Sequence, residues 1–154
     1  MLPDHIPIQR KRRRLPHWSL PGATYFVTFR MHARPLDPQE IAMVKGHVVS
    51  GHGRYYHLCA VQVMPDHAHL LVRPRQQFTL SRILKGIKGV TARKLNQERG
   101  GRGSLWQDES FDRLIRNERE LRETLDYMFR NPVTRGLTED PEIYVGWFLN
   151  REEE

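Results

Sequence analysis

The sequence predicts an α+β domain: a ferredoxin-like βαββαβ antiparallel sheet with one additional helix at the C-terminal end. Three observations predict it. Short runs rich in β-branched and aromatic residues alternate with longer runs whose apolar residues recur at helical spacing. Their order is strand, helix, strand, strand, helix, strand, helix, and the first six match the ferredoxin-like pattern. The two middle strands are separated only by Met64-Pro65-Asp66, a connection short enough to demand an antiparallel hairpin.

Each element has its own warrant. Tyr25-Phe26-Val27-Thr28-Phe29-Arg30 follows a Pro-Gly turn and reads as a strand. Asp37 and Pro38 open a helix as N-cap and first helical residue, and Ile41, Val44, Lys45 and Val48 follow at helical spacing until Ser50-Gly51. Tyr56 to Val63 and His67 to Val72 form the hairpin, which Pro74 ends. Thr79-Leu80 opens a helix to about Gln97, with Leu80, Ile83, Leu84, Ile87, Thr91 and Leu95 on one stripe. After a glycine-rich break, Leu105-Trp106 and Phe111 to Ile115 read as a short fourth strand with polar insertions. Asn117 caps a last helix from Glu118 to about Arg130, which Asn131-Pro132 is expected to stop.

Three regions follow. Residues 1–22 read as a basic, irregular N-terminal arm, with prolines at 3, 7, 16 and 21 and the block Arg10-Lys11-Arg12-Arg13-Arg14. Residues 23–137 hold the folded domain, and 138–154 read as a C-terminal tail. The 154 residues suit one domain, and a core of that size needs no disulfide. The one cysteine, Cys59, lies in an apolar run and excludes both a disulfide framework and a cysteine zinc site. No apolar stretch approaches the roughly 20 residues of a membrane span, and no signal peptide is visible, so a cytoplasmic protein is expected. The net charge of +7 leans toward a polyanionic partner such as nucleic acid.

The chemistry concentrates in two places. His67-Ala68-His69 sits on a strand, where residues two apart share a face, so both imidazoles project together while Ala68, Leu70 and Val72 point into a core. Alone, a His-x-His pair is a weak signal for a metal. Its place at a strand start beside a turn, and the cost of burying two unpartnered imidazoles, strengthen it. The second place is the last helix. There Leu121, Leu125 and Met128 form a core stripe, while Glu120, Glu123, Tyr127, Arg130 and Asn131 share another side. Asn131, one turn beyond Tyr127, can bring an amide oxygen toward the same metal. A surface tyrosine is the plainer alternative.

Four strings carry a resemblance: Tyr25-Phe26-Val27-Thr28-Phe29; Val63-Met64-Pro65-Asp66-His67-Ala68-His69-Leu70-Leu71; Trp106-Gln107-Asp108-Glu109-Ser110-Phe111-Asp112-Arg113; and Asp126-Tyr127-Met128-Phe129-Arg130-Asn131-Pro132-Val133. In this order and spacing the chain resembles the REP-associated tyrosine transposases of the HUH superfamily, over about residues 23 to 137. One departure is Ala68, smaller than the usual residue between the histidines. The resemblance implies that His67, His69 and Asn131 bind a divalent metal, Mg²⁺ or Mn²⁺. It implies that Tyr127 is the nucleophile of a single-stranded DNA endonuclease and strand transferase acting through a 5′-phosphotyrosine. The implied partner is single-stranded or hairpin DNA of a REP-like repeat, met by a monomer or homodimer.

Residues expected to touch DNA are the arm cations Arg10, Lys11, Arg12, Arg13 and Arg14, together with Lys85, Lys88, Arg113 and Arg116. For the last two, a surface ion pair with Asp112 or Glu118 is the alternative. Trp18, Tyr25, Trp106 and Phe111 are candidates for base stacking, although Tyr25 and Phe111 are expected rather to pack in the core. Two other functions stay open on the residues alone. One is a non-catalytic nucleic-acid-binding module on the same fold, and the other is a metal hydrolase with water as nucleophile.

Overall fold

The computed structural model describes residues 22–151. The expected arm, with Arg10 to Arg14 and Trp18, lies outside the described residues apart from Gly22. Five strands and three helices follow one another: β1 (Thr24–Met31), α1 (Pro38–Ser50), β2 (Tyr56–Val63), β3 (His67–Pro74), α2 (Leu80–Arg99), β4 (Trp106–Ile115), α3 (Glu118–Thr134), a 3₁₀ turn (Pro141–Ile143) and β5 (Trp147–Leu149). The sheet order is β4-β1-β3-β2-β5, and every pairing is antiparallel. The first four strands have the ferredoxin-like arrangement, and β5 extends the sheet beyond β2.

The caps follow the sequence. Asp37 and Glu40 form a reciprocal capping box at α1, with Pro38 in the first turn. Asn117 accepts from the Glu120 N–H at the start of α3. Gly100 ends α2 in the left-handed conformation, with φ at 71°.

Both faces of the sheet are covered. On one, Val27, Phe29, Val61, Val63, Ala68, Leu70 and Val72 pack against Ile41, Val44 and Val48 of α1 and Ile83, Ile87 and Leu95 of α2. On the other, Ala60, Leu71 and Ile115 pack against Leu121, Leu125, Met128 and Phe129 of α3, with Trp147 and Leu149 of β5. Period-two alternation on β3 therefore sends Ala68, Leu70 and Val72 to the two-helix side and His67, His69 and Leu71 to the α3 side.

Three elements differ from the sequence reading. The fourth strand is continuous over ten residues rather than short. As an edge strand it keeps polar side chains along most of its length, which hides its period. The segment read as a tail contributes β5, three residues long and paired with Ala60 to Gln62. Its docking requires Gly146, where a Cβ would collide with the Val63 carbonyl oxygen. Finally, α3 runs through Pro132 to Thr134. Proline lacks the N–H that would bond the Met128 carbonyl four residues back. That carbonyl instead accepts from Gln62 Nε2 on β2 at 2.9 Å, so the helix continues without an orphaned acceptor.

A buried ion pair ties α1 to α2. Arg99 donates to both carboxylate oxygens of Glu40, at 2.8 and 2.9 Å. That hydrogen bond holds the Glu40 carboxyl down at about 2, against the opposing effect of burial. The folded value lies below the unfolded one, so the stabilisation is complete above about pH 4.5 and is lost as pH falls toward 2. Arg99→Ala leaves Glu40 buried without its partner. It is expected to cost about 1–3 kcal/mol and to flatten the acid limb of stability in urea titrations from pH 5 to 2. An unchanged limb would show the pair to be idle.

Candidate active site

His67 and His69 are 1% and 3% exposed, and their Nε2 atoms lie 3.1 Å apart. The strand ladder explains the convergence. In the β1–β3 register Thr28 faces His69 and Arg30 faces His67, so β1 supplies the neighbours on the same sheet face. The outer nitrogens are both engaged. His67 Nδ1 is 2.7 Å from Asp66 Oδ1, and His69 Nδ1 is 2.8 Å from Thr28 Oγ1. Donation from His67 Nδ1–H to the carboxylate leaves a lone pair on its Nε2.

Two proton arrangements satisfy His69. In one, the Thr28 hydroxyl donates to Nδ1 and His69 Nε2–H donates to His67 Nε2. In the other, His69 Nδ1–H donates to Thr28 Oγ1, and both Nε2 lone pairs face one point. Rotation of one hydroxyl and a change of tautomer interconvert them without moving a heavy atom. The second arrangement is what a cation requires.

The electrostatics favour neutral rings. Burial pushes His67 down, with Asp66 partly opposing it. Burial, then the neighbouring His67 and Arg30, push His69 down to about 3. Neutral imidazole is the metal-binding form. Octahedral bonds of about 2.1 Å at a right angle place neighbouring ligand atoms about 3.0 Å apart, close to the observed Nε2 separation. Among the described residues, no group of three His, Cys, Asp or Glu side chains is placed to hold a metal. Amide oxygens would have to complete a shell. Asn131 offers one: it is buried, and its Oδ1 has no hydrogen-bond partner.

Tyr127 projects from α3 into the same place. Its ring meets His69 at 5.6 Å between centroids and 65°, and meets Phe26 edge-on at 6.3 Å. Phe26 in turn stacks on His69 at 5.1 Å and 25°. The phenol is 53% exposed. It borders a cleft of about 430 Å³ that also takes in Thr28, Arg30, His69, Phe111 and Arg113. Arg113 reaches it from β4, lying over the Phe26 ring and donating to Thr124.

The structure thus gathers His67, His69, Tyr127 and Arg113 from two strands and one helix, with Asn131 one turn along that helix. It does not bring in Arg116, Lys85 or Lys88, the other described cations expected to touch DNA. Arg116 is held by Glu120 rather than by Asp112 or Glu118. Lys85 and Lys88 belong to α2 on the opposite face, where they border a groove of about 1010 Å³ against β4. Lys88 donates to the Gln107 and Asp108 carbonyls. Trp106 is core, with Nε1–H donated to Thr91. Phe111, expected to pack inside, is 71% exposed because edge strand β4 has no element covering it there. Sequence reasoning did not single out Thr28, Asp66, Arg30 or Phe26. Pairing the first strand to the histidine strand in register is the signal that finds them.

The family model described as Transposase IS200 like matches residues 51–128, half of the chain, a span that contains His67, His69 and Tyr127. The chain belongs to the IS200-like transposase family. Asn131 lies just beyond the matched span. A Haemophilus influenzae protein named as a REP-associated tyrosine transposase is 29% identical over 90 residues, covering 52% of this chain and 51% of the relative. The chain thus spans about half the length of that curated relative. A solved REP-associated tyrosine transposase bound to a REP hairpin is similar in fold, with a TM-score of 0.60 at 23% identity, covering 84% of this chain and 76% of its own. A protein described as a transposase from Deinococcus radiodurans follows at a TM-score of 0.50 and 19% identity, over 75% of this chain and 95% of that one. IS200-like transposases are enzymes, and the resemblance read from the four strings agrees with the family match. Among the described residues, no helix is long and apolar enough to cross a membrane.

Proposed function

We propose that this chain nicks and rejoins single-stranded DNA at hairpin-forming, REP-like repeats, acting in the cytoplasm, with Tyr127 as nucleophile. The observation that carries the reading is the meeting of a half-exposed phenol with a buried imidazole pair whose Nε2 atoms converge. Tyr127 Oη attacks the phosphorus, the Oη–P bond forms and the P–O3′ bond breaks. The phenol proton passes to solvent, and the departing oxygen takes up a proton to become a 3′-hydroxyl. The phosphodiester is conserved as a phosphotyrosine, so a second 3′-hydroxyl reverses the step without a nucleoside triphosphate. When bound at His67, His69 and Asn131, Mg²⁺ or Mn²⁺ would polarise a non-bridging oxygen and so make the phosphorus more open to attack by the phenol.

Arg30 and Arg113 border the cleft and would hold the phosphate's charge, while exposed Phe111 offers a face for an unpaired base. The Arg10–Arg14 block would grip flanking phosphates. Lys85 and Lys88 face away from Tyr127, so any contact there would be with a more distant part of the hairpin.

The test is a denaturing gel after incubation with a hairpin-bearing single-stranded oligonucleotide and Mn²⁺. A covalent protein–DNA band that a chelator suppresses is the expected result. Binding without cleavage would indicate a non-catalytic module, and a released 5′-phosphate without adduct would indicate a water-using hydrolase. The outer hydrogen bonds give a second expectation. Thr28→Val removes the partner of His69 Nδ1 and should weaken Mn²⁺ binding about 10–100-fold, while Thr28→Ser restores it. Equal affinity in the valine variant would show that bond to be irrelevant to the metal.

A further inference from the structure

Gln62 is fully buried on β2 and faces His69 directly in the β2–β3 register. Residues opposed across an antiparallel ladder share a face, so its amide lies on the side bearing both imidazoles. The orientation of that amide is fixed from outside. Pro132 leaves the Met128 carbonyl without its helical donor, and only the NH₂ end of Gln62 can supply one. Oε1 is therefore turned away from α3's carbonyl. It is buried and has no hydrogen-bond partner, as is Oδ1 of Asn131, three residues beyond Met128.

A buried amide oxygen without a partner is costly, and calls for an ion or water. Here there are two, on the sheet side that carries two imidazoles whose Nε2 atoms converge. A hard divalent cation prefers oxygen donors in octahedral geometry, and Mn²⁺ accepts a mixed nitrogen and oxygen shell. We propose that Gln62 Oε1 is a further metal ligand, joining His67, His69 and Asn131 and leaving the remaining positions to DNA phosphate and water. This rests on the proposed metal at the imidazole pair. Its chemical consequence is a shell made only of neutral donors. Such a shell leaves the cation's full double charge facing the scissile phosphate. It also binds the free cation more weakly than a carboxylate-bearing shell, so that metal and DNA are held jointly.

The experiment is a Mn²⁺ titration of the full chain, read by the electron paramagnetic resonance signal of free Mn²⁺. Wild type, Gln62→Met, Gln62→Glu and His67→Ala are compared. Gln62→Met, which keeps the length but not the oxygen, should bind at least about tenfold more weakly, since even outer partners of metal ligands cost 10–100-fold. Gln62→Glu loses the donor to Met128 equally but keeps an oxygen, and should bind at least as tightly as wild type. Wild-type affinity in Gln62→Met overturns the inference. So does equal weakening in both Gln62 variants, which would trace the loss to the Met128 bond. If wild type binds, His67→Ala does not, and Gln62→Met is unaffected, the metal at the histidines stands and only the role of Gln62 falls. If wild type binds no Mn²⁺ with or without the oligonucleotide, both fall.

Discussion

Tyr127→Phe is expected to bind the hairpin oligonucleotide as wild type does and to form no covalent adduct, a loss of at least about 10⁴-fold in cleavage rate. The substitution removes one oxygen and nothing else. The ring keeps its edge contacts with His69 and Phe26, and a half-exposed position carries little of the fold's stability. Folding free energy should therefore stay within about 0.5 kcal/mol of wild type. A denaturing gel for the adduct, a mobility shift for binding and a thermal melt separate the three quantities. Adduct at normal yield would remove Tyr127 from the chemistry.

His67→Ala carries the second large effect. Mn²⁺ binding should fall by at least about 100-fold, and adduct formation with it, while DNA affinity measured without metal stays unchanged. Of the two histidines this is the cleaner choice. His67 hands its outer nitrogen to Asp66, whose half-exposed carboxylate recovers water and keeps Arg135 at 3.9 Å. Removing His69 would in addition strip Phe26 of its stacking partner and Thr28 of its hydrogen bond, mixing loss of metal with loss of packing. Calorimetric titration with Mn²⁺, beside a melt of each protein, distinguishes a ligand from a core histidine. A variant that melts early yet binds metal normally would mark His67 as structural.

The legible parts of this fold were those fixed by local chemistry. The helix starts at Asp37-Pro38, Thr79 and Asn117, the apolar stripe of α2 and the hairpin about Met64-Pro65-Asp66 all follow from residues close in sequence. The illegible parts depend on distant partners. Nothing near Pro132 tells that α3 continues, because the donor that rescues the Met128 carbonyl is Gln62, 66 residues earlier. Three residues of β5 carry too little periodicity to announce a strand, and β4 hides its own as a polar edge. The site divides the same way. Spacing on one strand groups His67 with His69, and spacing on one helix groups Tyr127 with Asn131, while the roles proposed for them came from the family resemblance. Thr28, Arg30 and Gln62 reach the site only through strand register, which a single sequence does not print. Phe111 and Trp106 exchanged their expected places for a related reason: α2 covers Trp106 on one face of β4, while α3 leaves Phe111 uncovered on the other.

What most directly tests the link between the phenol and the imidazoles is anomalous diffraction from crystals grown with Mn²⁺. The expected result is one peak at bonding distance from Nε2 of both His67 and His69, with the Tyr127 hydroxyl turned toward it across the cleft. A peak elsewhere, or a protein saturated with Mn²⁺ whose histidine nitrogens remain bonded only to each other, would contradict the proposed chemistry at its root.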